Sequence, residues 1–213
     1  MSPTPFPDVT RPDAELILVN TLDAGEPVRQ RTLVDTAVAE RRRQTWPAGL
    51  LSVSWFADTR GESILAYQQW TGDGVWWAYA AARGRRSDGD RAEPVLYRRY
   101  RSLAEGDPAQ VPGCLVTATF DTEGPERQRT FVDTVIAGLP HDQAEQGAIS
   151  AHFHLSCDGT RVLLYTEWTS EEAHEAAARS GAHDKSHELF SSVPGVHPTS
   201  GRRYHLYEAM TRD

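Results

Sequence analysis

The chain predicts an α+β fold built from two tandem ferredoxin-like modules, each β-α-β-β-α-β. Three observations carry this expectation. The 213 residues suit one large domain or two of about 100 residues. The decapeptide PVRQRTLVDT (Pro27–Thr36) returns as PERQRTFVDT (Pro125–Thr134). The hydrophobic pattern switches between strand and helix periods in the same order in both halves.

At a constant shift of 98, residues 17–71 align with residues 115–169, and 18 of these 55 pairs are identical. Chance would give about three or four at ordinary residue frequencies. Gly49/Gly147, Gly61/Gly159, Tyr67/Tyr165 and Trp70-Thr71/Trp168-Thr169 are among the matches. Further on, RRY at Arg98–Tyr100 meets RRY at Arg202–Tyr204, a shift of 104 that gives the second copy about six extra residues. The expected modules are 12–102 and 113–211, with Ser102–Gly113 as linker.

Each element follows from its residues. Leu16–Leu22 and Leu115–Phe120 are short apolar runs and read as first strands. Pro27 and Pro125 stand where a first helical turn tolerates proline, so Val28–Arg43 and Glu126–Leu139 read as helices. Arg31/Asp35 and Arg129/Asp133, four apart, would face each other there. Leu51–Phe56 and Ile149–Leu155 read as second strands. Turns at Gly61 and Gly159 lead into third strands, Ile64–Trp70 and Val162–Trp168. Alanine-rich helices, Val75–Arg83 and Glu171–Arg179, precede last strands at Val95–Arg101 and Arg203–Glu208.

Bulk properties exclude several classes. A net charge of −8 and a pI near 5.5 argue against nucleic-acid or anionic-membrane partners. No run approaches the ~18 apolar residues of a membrane span, and the N-terminus lacks a signal-peptide core. A cytoplasmic protein is expected. Cys114 and Cys157 form no CxxC pair. There is no phosphate loop, nucleophile elbow or dinucleotide fingerprint.

The halves differ in their chemistry. Five of six tryptophans (Trp46, Trp55, Trp70, Trp76, Trp77) lie in the first; all eight histidines (His141, His152, His154, His174, His183, His187, His197, His205) lie in the second. One half thus offers aromatic walls and the other acid–base groups. His152 and His154 alternate on one strand and share a face; if it lines a cavity, one could serve as a base. Their counterparts are Ser54 and Phe56. His183–His187 (HDKSH) has helical metal-site spacing but no evident third ligand, so no metal is expected. Trp70 and Trp168 close the third strands, as core or as a wall for a planar ligand. Asn20 is polar within an apolar strand, and a ligand carbonyl is one candidate partner for its amide; its counterpart is Ala118.

In LVNTL (Leu18–Leu22), FVDT (Phe131–Thr134) and YTEWTSEEAHEAAARSGAHDKSHELF (Tyr165–Phe190) the chain resembles the antibiotic biosynthesis monooxygenase family, of the dimeric α+β barrel superfamily. The resemblance covers nearly the whole chain. It implies that the two modules close a barrel within one chain. It also implies a cofactor-free monooxygenase that turns an aromatic polyketide-type anthrone or phenol into a quinone, with that substrate and O2 as partners. A homodimer of the two-module chain is compatible with it. The site residues it implies are His154, His174 and Trp168 for catalysis, with Asn20 and Trp70 for substrate binding; Tyr67, Trp76 and His152 are further candidates for substrate binding. Neither copy holds both the asparagine and the histidines. A non-redox polyketide cyclase, a haem-degrading enzyme and a non-catalytic ligand-binding protein are the alternatives.

Overall fold

The computed structural model of the chain describes residues 5–83, 93–104, 110–139, 145–180 and 188–212. The expected α+β class is found. The elements run β1 (Leu16–Asp23), α1 (Pro27–Arg43), β2 (Leu50–Asp58), β3 (Ser63–Trp70), α2 (Asp73–Arg83), β4 (Val95–Ala104), β5 (Cys114–Thr122), α3 (Pro125–Gly138), β6 (Ala148–Ser156), β7 (Arg161–Trp168), α4 (Glu171–Arg179) and β8 (Val196–Thr211). The hydrogen-bonded order β1-β3-β2-β8-β5-β7-β6-β4 closes into a barrel.

Two compact units divide the chain: Met1–Tyr97 with Tyr204–Asp213, and Arg98–Arg203. In the first, β3 pairs antiparallel with β1 (Val19 opposite Tyr67) and with β2 (Ser54 opposite Tyr67), and β2 pairs with β8 (Ser54 opposite Ala209). In the second, β7 stands in the same way between β5 and β6, with Thr117 and His152 opposite Tyr165.

The repeated decapeptide has a structural purpose that its charges do not suggest. Its glutamine is buried in both copies. Gln30 Nε2 donates to the carbonyls of Asp58 (2.9 Å) and Ser63 (2.8 Å), and Gln128 Nε2 to those of Ser156 (3.2 Å) and Arg161 (2.7 Å). Each side chain thereby ties the first turn of a helix to both ends of the following hairpin, satisfying carbonyls that the tight turn leaves over. The aspartates four residues after the arginines receive tyrosines: Tyr207 Oη donates to Asp35 (2.6 Å) and Tyr100 Oη to Asp133 (3.0 Å).

Those tyrosines correct the late alignment. Asp35 and Asp133 are equivalent at shift 98, so Tyr100 matches Tyr207, and buried Tyr97 matches buried Tyr204. The last strands therefore align at shift 107, not 104. The recurrence of RRY is a coincidence of sequence, because strand register follows which side chain is buried and which is bonded.

One face of each sheet carries the helices. Phe120, Ala151, Phe153, Val162 and Leu164 pack against Phe131, Val132 and Val135 of α3. Phe131 is fully buried, with its ring centroid 4.8 Å from that of Phe120. Phe131→Ala should cost about 3–5 kcal/mol, read as a lowered denaturant midpoint at unchanged slope. Gly147 (φ +89°) marks where the chain turns beneath α4: a Cβ there would stand 2.6 Å from that of Ala173, so only glycine lets the helix approach. Ser170 caps α4, its hydroxyl accepting from the Ala173 amide (3.1 Å).

Candidate functional site

Strand alternation sorts the candidate residues onto two faces. In β6, Ala151 and Phe153 face α3, so His152 and His154 point to the opposite side. In β7, Val162 and Leu164 face the helices, and so does Trp168, which packs on Ala177 of α4. Tyr165 points with the two histidines, its ring centroid 6.0 Å from His152 and 6.3 Å from His154. Trp168 and His174 are thus brought together, whereas His154 is separated from both by the thickness of the sheet.

His154 is fully buried. Burial first, and repulsion from His152 second, push its pKa down to about 3. At neutral pH its ring holds no charge and is too weak a base to take a substrate proton.

The helix-side group of the second module is built on Trp168. Its indole Nε1 donates to Thr166 Oγ1 (3.1 Å), which fixes the ring at the end of β7. The His174 ring stands edge-on to it, centroids 4.9 Å apart at 82°. Arg203 of β8 donates from Nε to His174 Nδ1 (2.8 Å) and from Nη1 to Glu175 Oε1 (3.1 Å), with Glu171 Oε1 at 3.9 Å. A guanidinium can only donate, so His174 Nδ1 is an acceptor and Nε2 carries the proton. Sequence reading missed Arg203 as a site residue, because pairing RRY with RRY assigned it to the wrong register.

The first module fills the same positions with aromatic and aliphatic side chains. At shift 98, Trp70 matches Trp168, Trp76 matches His174 and Tyr79 matches Ala177; at shift 107, Leu96 matches Arg203. Trp70 is buried against Trp76 (5.2 Å), Tyr79 (5.2 Å) and Leu96. Asn20 shares this helix face with Leu18, and its Oδ1 is buried without a hydrogen-bond partner among the described residues. Tyr67, opposite Val19 and fully buried, lies on the other face.

Among the described residues no three His, Cys, Asp or Glu side chains converge as metal ligands. His141 and the His183–His187 motif lie outside the described residues. No described helix is long and apolar enough to cross a membrane.

Residues 115–189 match the sequence profile of the antibiotic biosynthesis monooxygenases. No curated protein sequence matches the chain. Among solved structures, the chain is similar to an anthrone oxidase-like protein (TM-score 0.74, 15% identity, 94% of each chain covered). It is similar to a ferredoxin-fold protein from Listeria monocytogenes related to antibiotic biosynthesis monooxygenases (TM-score 0.52, 14% identity, 95% of this chain and 99% of that one). It also shares 31% identity with a monooxygenase from the gene ActVA-Orf6 of Streptomyces coelicolor, solved with nanaomycin D, over 48% of this chain and 88% of that one (TM-score 0.36).

Proposed function

We propose, on the match of residues 115–189 to the antibiotic biosynthesis monooxygenase family, that the chain is a cofactor-independent monooxygenase oxidising an aromatic polyketide-type anthrone or phenol to a quinone, with its reactive site at Trp168, His174 and Arg203. The observation that carries this reading is the contrast between the modules. Both keep the strand-end tryptophan. Where the first stacks Trp76, Tyr79 and Leu96 against it, the second has an imidazole, a methyl group and a guanidinium.

The chemistry follows from that trio. Trp168, only 5% exposed, would present a flat wall to a planar substrate once the side chains over it part. The substrate oxygen, as it gains charge, draws the Arg203 guanidinium toward itself. That releases His174 Nδ1, which accepts the substrate proton. Oxyanion stabilisation and proton removal are then one event. The resulting carbanion passes one electron to O2. Recombination of the radical pair gives a peroxide, and loss of water leaves the new carbonyl, so one anthrone CH2 and one O2 give one C=O and one H2O. Asn20, Trp70 and Trp76 form a separate aromatic group in the first module, to which we assign no step.

The test is oxygen uptake by metal-stripped, flavin-free protein with a panel of anthrones and naphthols. Uptake above the enzyme-free rate is expected, falling about 100-fold or more in His174→Ala. Product formed without oxygen would overturn the oxygenase in favour of cyclisation. Uptake lost in Asn20→Ala but unchanged in His174→Ala would move the site to the first module.

A further inference from the structure

On the face of the second unit turned away from α3 and α4, four side chains from three strands form one line of hydrogen bonds. Ser102 Oγ of β4 lies 2.8 Å from His152 Nδ1, His152 Nε2 lies 3.0 Å from Ser150 Oγ, and Ser150 Oγ donates to Glu167 Oε2 at 2.8 Å. The direction of each bond is fixed. The Ser150 hydroxyl has one proton and gives it to the carboxylate, so it accepts from His152 Nε2–H. Nδ1 then carries no proton and accepts from the Ser102 hydroxyl. His152 is buried and Ser102 is exposed, so the line runs from a half-buried carboxylate through a buried imidazole to a hydroxyl open to solvent. Arg99 Nη1 donates to the same hydroxyl oxygen at 3.3 Å.

We propose that Ser102 is the nucleophile of a second, acyl-transferring site that hydrolyses small carboxylic esters. His152 is its base, and Ser150 and Glu167 are positioning residues. The arrangement meets the geometric requirement of an activated serine: nucleophile and base within hydrogen-bond reach, and the base oriented by a third group. The first compact unit supplies the contrast. At the matching positions it has Ala209, Ser54, Ser52 and Gln69, and of the line only the hydrogen bond from Ser52 Oγ to Gln69 Oε1 (2.6 Å) is present among the described residues. Nucleophile, imidazole and carboxylate are thus all present in one unit and all missing from the other.

In the reaction Ser102 Oγ bonds to the acyl carbon while its proton passes to His152 Nδ1. The imidazolium is stabilised through Ser150 by Glu167, and the Arg99 guanidinium faces the developing oxyanion. The ester C–O bond then breaks, and the leaving alkoxide takes the proton from Nδ1. Water repeats the two transfers and frees the acid. This site does not rest on the oxygenase reading, since Trp168 and His174 lie on the other face of the sheet.

The experiment treats the full chain with a fluorophosphonate and with p-nitrophenyl acetate. The fluorophosphonate reports Oγ–P bond formation with loss of fluoride, located by peptide mass mapping. Expected are one label at Ser102, no label in Ser102→Ala, and labelling about 100-fold slower in His152→Gln. In Glu167→Gln the pH at which labelling reaches half its plateau should move, which a merely structural role would not cause. Labelling no faster than in the heat-unfolded chain, a label at another residue, or an unchanged rate in His152→Gln would overturn the proposal. Should His152→Gln fail to fold, Ser102→Ala at its exposed position decides: ester hydrolysis persisting at the wild-type rate is equally fatal.

Discussion

Ala177→Tyr should bring anthrone-dependent oxygen uptake down to the enzyme-free rate. The substitution writes into the second module the residue that the first already has. Tyr79 lies 5.2 Å from Trp70 and 6.0 Å from Trp76, covering the indole face. A tyrosine at 177 would cover Trp168 in the same way, taking the wall from the substrate while leaving His174 and Arg203 unaltered. Rate loss of at least about 100-fold is expected, because positioning alone contributes that much when a bound geometry is displaced. Overpacking at the nearly buried Ala177 would cost about 1–3 kcal/mol, so a folded variant should be recovered. Tyr79→Ala, the reverse change in the first module, should leave uptake unaltered. The pair of variants separates site loss from general damage. Wild-type uptake in Ala177→Tyr would mean that substrate does not use the Trp168 face.

His154→Phe should make the protein more resistant to acid, by roughly 3 kcal/mol at pH 4.5 relative to wild type. The sign follows from the direction of the shift. The folded chain holds His154 neutral down to about pH 3, whereas in the unfolded chain it titrates near 6.5. Between those values the unfolded state binds a proton that the folded state refuses. Stability is therefore complete above about 6.5 and is lost as pH falls toward 3. The groups around the ring, His152, Tyr165 and Arg99, offer no anion to reverse this. Phenylalanine is what the first module carries at the matching place, where Phe56 is fully buried. Urea unfolding of both proteins at pH 7 and 4.5 checks the prediction. The many carboxylates titrate alike in both and cancel, so equal losses in the two would show that His154 takes up its proton in the folded state.

Much of this architecture was legible in the chain. The repeat at shift 98 located the helices, the hairpins and the strand-end tryptophans, and hydrophobic periodicity assigned their types. The residues that link elements far apart in sequence were not. Gln30 and Gln128 look like surface residues among arginines, and only the hairpin carbonyls explain their burial. The register of β8 was misread because a three-residue identity outweighed the weaker signal of two tyrosines spaced three apart. For the site, the alternation Ile149, Ala151, Phe153 against Ser150, His152, His154 did announce a polar face. Which face the helices cover was not announced, and that decides which residues can meet: it joins His174 to Trp168 and Arg203, and His152 to Ser102.

The pairing of β2 with β8 bears on how such a chain can be cut or inherited. Ser52–Asp58 forms its outer ladder with Tyr204–Thr211, the last stretch of the chain. A fragment ending after the first module would leave β2 as a bare edge, with backbone donors and acceptors open to any extended segment. Once the two copies shared one chain, neither could be deleted without exposing an aggregation-prone strand in the other. A module that had lost its chemistry would thus be retained as a cover, which fits a first module whose tryptophans fill the positions where the second carries polar groups.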